Sequence, residues 1–199
     1  MAAASDRALT QLLREVRACR LCEQHLPLGP RPILRASVSA RILIVGQAPG
    51  TRVHETGVPW NDPSGARLRE WMGVDRDTFY DETRIAIIPI GMCYPGRNSS
   101  SGDKPPRPEC APHWHPRLRP MLPNVRLTIL AGQYAHRYYL EKKAKGSLTE
   151  TVAAWREFIP EFVPLPHPSW RNTGWLNRNP WFEREILAYL RRRIRSLLK

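Results

Sequence analysis

The fold of this chain can be read from one segment, Arg41-Ile42-Leu43-Ile44-Val45-Gly46-Gln47-Ala48-Pro49-Gly50. A short run of branched apolar residues that stops at a glycine is typical of a strand buried on both faces of a parallel sheet. Comparable runs occur at residues 85–90, 126–131 and 161–165. Segments that can form helices lie among them, at residues 64–72, 111–121, 133–141 and 148–158. This alternation predicts an α/β fold, a three-layer α/β/α domain with a central, mainly parallel four-stranded sheet.

The two ends of the chain complete the predicted domain. Apolar residues at helical spacing predict a first helix at residues 6–18 and an amphipathic closing helix at residues 179–199. A length of 199 residues suits a single domain, residues 1–199. No stretch approaches the ~18 apolar residues of a membrane span, and the chain opens without a secretory signal pattern. We therefore expect no membrane partner and a cytoplasmic location.

The balance of charge indicates a polyanionic partner. The chain has 31 Lys and Arg against 18 Asp and Glu, a formal net charge of +13. Such an excess is typical of proteins that bind nucleic acid, and arginine is well suited to phosphates and to base stacking. A basic surface without a nucleic-acid partner is the alternative that composition leaves open.

The four cysteines occur as two pairs, Cys19 with Cys22 and Cys93 with Cys110. Four thiolates in a reducing compartment are typical of an iron–sulfur cluster or a zinc site. The long spacing of the second pair favours a cluster, because zinc ribbons usually have two closely spaced pairs. We predict that the first helix and the first pair pack against the 93–110 loop through this metal site. Zinc, disulfides and unligated thiols remain the alternatives.

Two segments at the predicted strand ends carry the functional motifs. Residues 46–50 (GQAPG) lead into residues 54–65 (HETGVPWNDPSG), and residues 167–172 (HPSWRN) follow the fourth strand. With the cysteines, and in this order along nearly the whole chain, they resemble the uracil-DNA glycosylase superfamily. The resemblance is closest to family 4, the bacterial and archaeal iron–sulfur enzymes. The TGVPW and HPSWRN segments also resemble the single-strand-selective monofunctional branch, which lacks the cysteines.

The resemblance implies a function and a cofactor. It implies a DNA repair glycosylase that hydrolyses the N-glycosidic bond of uracil in single- or double-stranded DNA and leaves an abasic site. The base would be flipped out of the stack into a pocket. The four cysteines would hold a structural [4Fe–4S] cluster. We expect a monomer in the bacterial cytosol or nucleoid.

The resemblance also implies roles for individual side chains. His167 would stabilise the departing uracil anion, and Trp60 would stack on the flipped base. Gly46 has no Cβ and would let the backbone approach the base closely. The further implied contacts are Gln47 and Ala48 with the base, and Ser64, Ser169, Trp170, Arg171 and Asn172 with the DNA.

The chain departs from the family pattern at the group that activates water. Family 4 has Glu where this chain has Gln47, and other families place Asp or Asn at the position of Ala48. We predict that Asp62, and next Glu55, serve as catalytic residues beside Gln47, because a carboxylate can orient water and stabilise a cationic sugar.

A second departure concerns recognition of the base. Pro89 stands where family 4 has an Asn that binds the base edge, and proline offers neither a side-chain hydrogen bond nor an N–H. We expect Asn61, or backbone groups near Gly91, to replace it. Hypoxanthine and xanthine are therefore alternative target bases.

The segment between the last two cysteines is basic and rich in proline. Arg97, Lys104 and Arg107 are its predicted phosphate contacts.

Other functions compete with hydrolysis by a monofunctional glycosylase. A covalent-trapping glycosylase would need a nucleophilic His in the loop after the third cysteine, and residues 93–110 contain none. A lyase would need a lysine within the matching motifs, and these contain none. The non-enzymatic alternative is a damaged-DNA or single-strand-binding protein without catalysis, which Gln47 and Ala48 favour.

Overall fold

A parallel four-stranded sheet forms the centre of the computed structural model, which describes residues 2–98 and 102–199. The strands are β1 (Ile42–Val45), β2 (Ile85–Ile87), β3 (Arg97–Asn98), β4 (Gly102–Asp103), β5 (Leu127–Ala131) and β6 (Phe162–Leu165). The order in the main sheet is β2-β1-β5-β6, with every neighbouring pair parallel. β3 and β4 form a separate antiparallel hairpin.

Helices connect and cover the strands. They are α1 (Ala2–Arg17), α2 (Thr51–Thr56), α3 (Pro63–Met72), α4 (Arg76–Tyr80), α5 (Cys110–Leu118), α6 (Gln133–Leu140), α7 (Leu148–Ala153), α8 (Thr173–Arg178) and α9 (Ala188–Leu198). Short 3₁₀ turns occur at Glu23–His25, Arg119–Met121, Glu141–Lys143, Trp155–Glu157 and Trp170–Asn172, and a π-helical segment occurs at Phe182–Leu187. Two predicted helices are therefore shorter than expected, because α5 and α7 give way to 3₁₀ turns, and a π-helical segment interrupts the closing helix.

Alternation along the strands separates the two faces of the sheet. Leu43 and Val45 of β1 belong to the core cluster that includes apolar residues of α1, α5 and α6. Ile42 and Ile44 belong to the other cluster, with residues of α3, α7 and α9. Successive side chains of a strand point to opposite faces, so both faces of β1 are covered. The predicted three-layer α/β/α architecture is confirmed.

The strand order creates a crevice at one edge of the sheet. β1 pairs with β2 on one side and with β5 on the other, so the chain reverses direction across the sheet at β1. In open parallel sheets, ligands bind at such a switch point, beyond the carboxyl ends of the strands. The segments that follow β1 and β6 carry the predicted motifs to this edge.

Pro164 occupies a permitted position in β6. It lies opposite Leu130, and β6 is the last strand of the sheet order. An edge strand tolerates the missing N–H of proline. None of the helices in the described part of the chain is long and apolar enough to cross a bilayer.

Candidate active site

A cavity of about 500 Å³ lies at the carboxyl edge of the sheet. That volume is within the range of about 300–1,000 Å³ typical of small-molecule sites. It brings together most of the residues predicted from the motifs, namely Gly46, Gln47, Ala48, Trp60, Asp62, Ser64, Arg97, His167, Ser169, Trp170, Arg171 and Asn172. Residues that follow β1, β2 and β6 thus line one pocket.

Trp60 is held in the pocket by backbone constraints. Its φ of +56° lies in the left-handed region, which is unusual for a bulky residue. Its carbonyl oxygen accepts hydrogen bonds from the Tyr80 hydroxyl at 3.2 Å and from Arg69 at 3.4 Å. A Cβ on Gly65 would lie 1.8 Å from that oxygen, and one on Gly46 would lie 2.6 Å from the indole ring. Both glycines are therefore required for Trp60 to lie where it does.

His167 lies beside Trp60, with 5.5 Å between the ring centroids and 32° between the ring planes. Its backbone carbonyl accepts a 2.7 Å hydrogen bond from the Asn172 side chain, which fixes the turn after β6. Burial lowers the pKa of His167, and the negative charge of Asp62 opposes this effect. The imidazole is therefore neutral at neutral pH and has one N–H to donate.

Asp62 lines the pocket and also caps α3. One oxygen of its carboxylate accepts a 2.9 Å hydrogen bond from the Gly65 N–H at the helix N-terminus. Glu55, the second predicted carboxylate, has an exposed side chain on α2 and does not line the cavity. The cavity lining therefore includes one of the two predicted carboxylates, Asp62, and gives no support to the prediction that Glu55 acts on water.

The backbone near Gly91 is occupied within the fold and is not presented to the base. The Pro89 carbonyl accepts from His115 Nε2 at 3.0 Å, and the Gly91 N–H donates to the Gln47 carbonyl at 2.9 Å. Pro89 itself lines the cavity, whereas Gly91 does not. Gly91 thus lies outside the lining, and its one donor joins this segment to the loop after β1.

Three further predicted residues, Asn61, Lys104 and Arg107, do not line the pocket. Asn61 precedes the helix cap but is not part of the cavity wall. The Lys104 carbonyl accepts a 3.2 Å hydrogen bond from the Gln47 side-chain amide, so Lys104 anchors the active-site loop through its backbone. Arg107 forms an ion pair with Glu109 and lies at a different pocket. Of the three predicted basic phosphate contacts, Arg97 is the one that lines the cavity.

Asp103 is a pocket residue that sequence analysis missed. It lies on β4, and one of its carboxylate oxygens is 3.2 Å from where a Cβ on Gly50 would stand. Partial loss of hydration raises the pKa of Asp103, against the opposing charges of Arg97 and Arg171, and Asp62 raises it further. An acid within a basic proline-rich segment was the available signal, but the segment also contains Glu109, and spacing gave no reason to place Asp103 at the site.

The turn that follows His167 forms an exposed edge of the cavity. Ser169 caps this turn, its hydroxyl accepting from the Arg171 N–H at 3.3 Å, and its carbonyl accepts from Arg67 at 3.1 Å. Trp170 is 73% exposed, and the Arg171 guanidinium lies 5.8 Å from the centroid of its ring. The turn therefore presents a large aromatic side chain and a cation to solvent.

The four cysteines line a second, smaller pocket and are all free thiols. They converge from the end of α1, the segment after β2 and the first turn of α5. Burial raises the pKa of Cys93 to about 11 and that of Cys110 to about 12. The Met92 N–H donates to the Cys110 sulfur at 3.4 Å, a contact typical of protein-bound thiolates. Four convergent sulfurs fit a metal cluster in number and ligand type.

Among the described residues, no three or more His, Cys, Asp or Glu side chains are arranged to hold one metal ion.

Comparison with known proteins identifies the family. Residues 35–191 match the model of the uracil DNA glycosylase superfamily. The matched region begins after the first cysteine pair. A solution NMR structure from Methanosarcina acetivorans, provisionally named a uracil DNA glycosylase, is 18% identical, with a TM-score of 0.48, over 81% of this chain and 98% of that one. Because the family model matches well over half of its residues, the chain belongs to the uracil DNA glycosylase superfamily.

Proposed function

We propose that this protein is a monofunctional DNA glycosylase that hydrolyses the N-glycosidic bond of uracil in DNA and leaves an abasic site. The observation that carries the proposal is the pairing of Trp60 with His167 in a cavity at the switch point of the sheet. A flat aromatic surface beside a neutral hydrogen-bond donor is the arrangement needed to hold a flipped base and to stabilise it as it leaves.

The base would enter between Trp60 and the loop after β1. Stacking on an aromatic side chain contributes about 1–3 kcal/mol per base. Among the described residues, the backbone N–H groups of Gln47 and Ala48 donate to no protein acceptor, so they are free to bind the carbonyl oxygens of the base. The side chain of Gln47 is held by Lys104, which makes the backbone the better candidate for this contact.

Bond cleavage leaves negative charge on the departing uracil. The N–H of neutral His167 would donate to uracil O2, and removal of such a donor typically costs about 2.7–4 kcal/mol of transition-state stabilisation. Water must then reach C1′ of the sugar. Asp62, predicted from the sequence, is one of the acids that line the pocket and can assist that water.

The exposed edge of the cavity supplies the proposed DNA contacts. Trp170 and Arg171 would enter the stack and fill the gap that the flipped nucleotide leaves, while Ser169, Ser64 and Arg97 would contact phosphates. The lining residues in the described part of the chain include no lysine, which argues against lyase chemistry. All these groups come from one chain, so a monomer suffices.

We also propose that Cys19, Cys22, Cys93 and Cys110 hold a structural [4Fe–4S] cluster, with zinc as the alternative. The support is that all four cysteines line one pocket. Without a metal site, these four buried or half-buried thiols would have no function. Such a cluster would tie α1, the segment after β2 and α5 together. Iron, sulfide and zinc analysis of anaerobically purified protein tests this assignment directly.

Base release tests the proposed function. Labelled oligonucleotides that each carry one uracil, hypoxanthine or xanthine would be incubated with the protein and then treated with hot alkali to cut abasic sites. We expect cutting of the uracil strand. Cutting of a different strand would assign another deaminated base, an outcome that Pro89 makes worth testing because its ring offers no hydrogen bond to the base. Binding without any cutting would support the non-catalytic DNA-binding protein.

A further inference from the structure

Asp62 and Asp103 are the two acids among the described residues that line the proposed active site. We propose that Asp103, carried on the β3–β4 hairpin, orients the attacking water and accepts its proton, while Asp62 serves to position the site. This inference deepens the proposed function and rests on it. No sequence motif assigns Asp103 a role.

The environment of Asp103 leaves its carboxylate free for chemistry. Its oxygen reaches across the pocket mouth to Gly50, a residue of the loop that also carries Gln47 and Ala48. No hydrogen bond or close ion pair joins this carboxylate to another described side chain. A Cβ at position 50 would lie 3.2 Å from that oxygen, a tight contact, so glycine there leaves more room for the acid.

Asp62 is committed to local structure in a way that Asp103 is not. One of its oxygens accepts the Gly65 N–H, and Gly65 is the residue that packs against the Trp60 carbonyl. Its charge also acts on His167, where it raises the pKa against the effect of burial. These contacts suit an acid that holds Trp60 and His167 in place.

Charged side chains near Asp103 act on the pKa of its carboxyl group in opposite directions. Arg97 on β3 and Arg171 on the turn after His167 favour its ionised form, while partial loss of hydration and the charge of Asp62 oppose ionisation. The net result is that the pKa of the Asp103 carboxylate is raised above the ordinary value for an aspartate, although the residue is exposed at the pocket. His167 lines the same pocket, and burial lowers the pKa of its imidazole, which is therefore neutral at neutral pH.

The proposed step balances as a hydrolysis. The C1′–N1 bond breaks and its electron pair leaves with uracil, whose O2 accepts a hydrogen bond from His167. A water oxygen bonds to C1′ and gives one proton to the Asp103 carboxylate, which later releases it to solvent. The uracil anion takes up a proton from solvent, so the products are an abasic sugar and free uracil, and no oxidant or metal takes part.

Single-turnover base release from a uracil-containing single strand tests the assignment. Asp103→Asn should lower the rate constant at saturating protein by about 100-fold or more, since general base catalysis typically contributes 10²–10⁴-fold. Affinity for an undamaged strand should stay the same or increase, because a negative charge is removed. Asp103→Glu should recover part of the rate. Glu161→Gln, an exposed acid at the opposite end of β6, is the matched control.

The pH dependence separates the two acids. The wild-type rate should rise with pH through the raised pKa of Asp103 and then level off, and Asp103→Asn should lose that rise while Asp62→Asn keeps it. An Asp103→Asn rate within about threefold of wild type would overturn the inference and leave the glycosylase intact. A wild-type protein that releases no base from any of the three strands would overturn the proposed function, and the inference with it.

Discussion

The wall and the rim of the pocket are built in opposite ways. We use wall for Gly46, Trp60 and His167, and rim for Trp170 and Arg171. In the wall, backbone hydrogen bonds and close contacts to glycine fix the side chains. In the rim, Trp170 is 73% exposed, and the Arg171 guanidinium lies over its ring.

This difference matches two physical requirements of the proposed reaction. Groups that stabilise a transition state must be in place before it forms, because reorganising them would cost free energy at the moment of reaction. Groups that enter DNA must instead adapt to a duplex or a single strand. Changes in the wall should therefore alter the chemical step, and changes in the rim should alter DNA binding.

The largest effect is expected from His167→Ala in the wall. Loss of the donor to uracil O2 should lower the single-turnover rate constant by about 10²–10³-fold. Affinity for an undamaged strand should change by less than about twofold, because the wall does not hold the DNA. Loss of affinity equal to the loss of rate would break the division between wall and rim.

Acid should destabilise the fold through two buried histidines, His115 and His136. Burial lowers the pKa of His115 and of His136 to about 4, from 6.5 in the unfolded chain. The unfolded state therefore binds more protons between those values, and the free energy of unfolding should fall as pH falls from about 6.5 to 4. Each histidine contributes a slope of about 1.4 kcal/mol per pH unit.

Urea unfolding at several pH values between 6.5 and 5 measures this slope. His136 Nε2 joins the carboxyl ends of two strands, with 3.0 Å contacts to the carbonyls of Leu130 and Leu165. His136→Gln keeps a donor but removes the titration, so the slope should fall by about 1.4 kcal/mol per pH unit. An unchanged slope would show that His136 does not control acid stability.

Trp170→Ala tests the rim. Loss of one stacking side chain should weaken binding to a uracil-containing strand by about 1–2 kcal/mol. The effect should be greater with a duplex, where a gap must be filled, than with a single strand. Leu28→Ala, also an exposed apolar side chain, is the control and should leave both affinities unchanged. Equal losses with both substrates would contradict a wedge.

The smallest effects separate Arg97 from Arg107. Arg97 lines the pocket, and Arg97→Gln should reduce the slope of log affinity against log salt by about 1. Arg107 is paired with Glu109, and Arg107→Gln should change affinity by less than about 0.5 kcal/mol. Salt titrations of DNA binding would measure both, and a larger slope change for Arg107 would restore it as a phosphate contact.

Much of the pocket was predictable because its residues follow strands. Parallel strands align their carboxyl ends, so motifs that follow β1 and β6 must meet at one edge. The resemblance to the family placed His167 and Trp60 at this edge, and Asp62 was predicted because it shares a loop with Trp60. Contacts that depend on how loops fold over one another were not predictable. Asp103 was missed on that account, and Gly91 and Glu55 lie outside the pocket lining.

The sequence by itself determined the α/β alternation, the order of the motifs and the superfamily, because apolar periodicity and local motifs are properties of adjacent residues. The packing of the layers settled which acids line the pocket and which cations are already paired. It also decided that the Pro89 carbonyl and the Gly91 N–H are used inside the fold. These outcomes depend on distances between segments far apart in the chain, and such distances are fixed only when the layers pack.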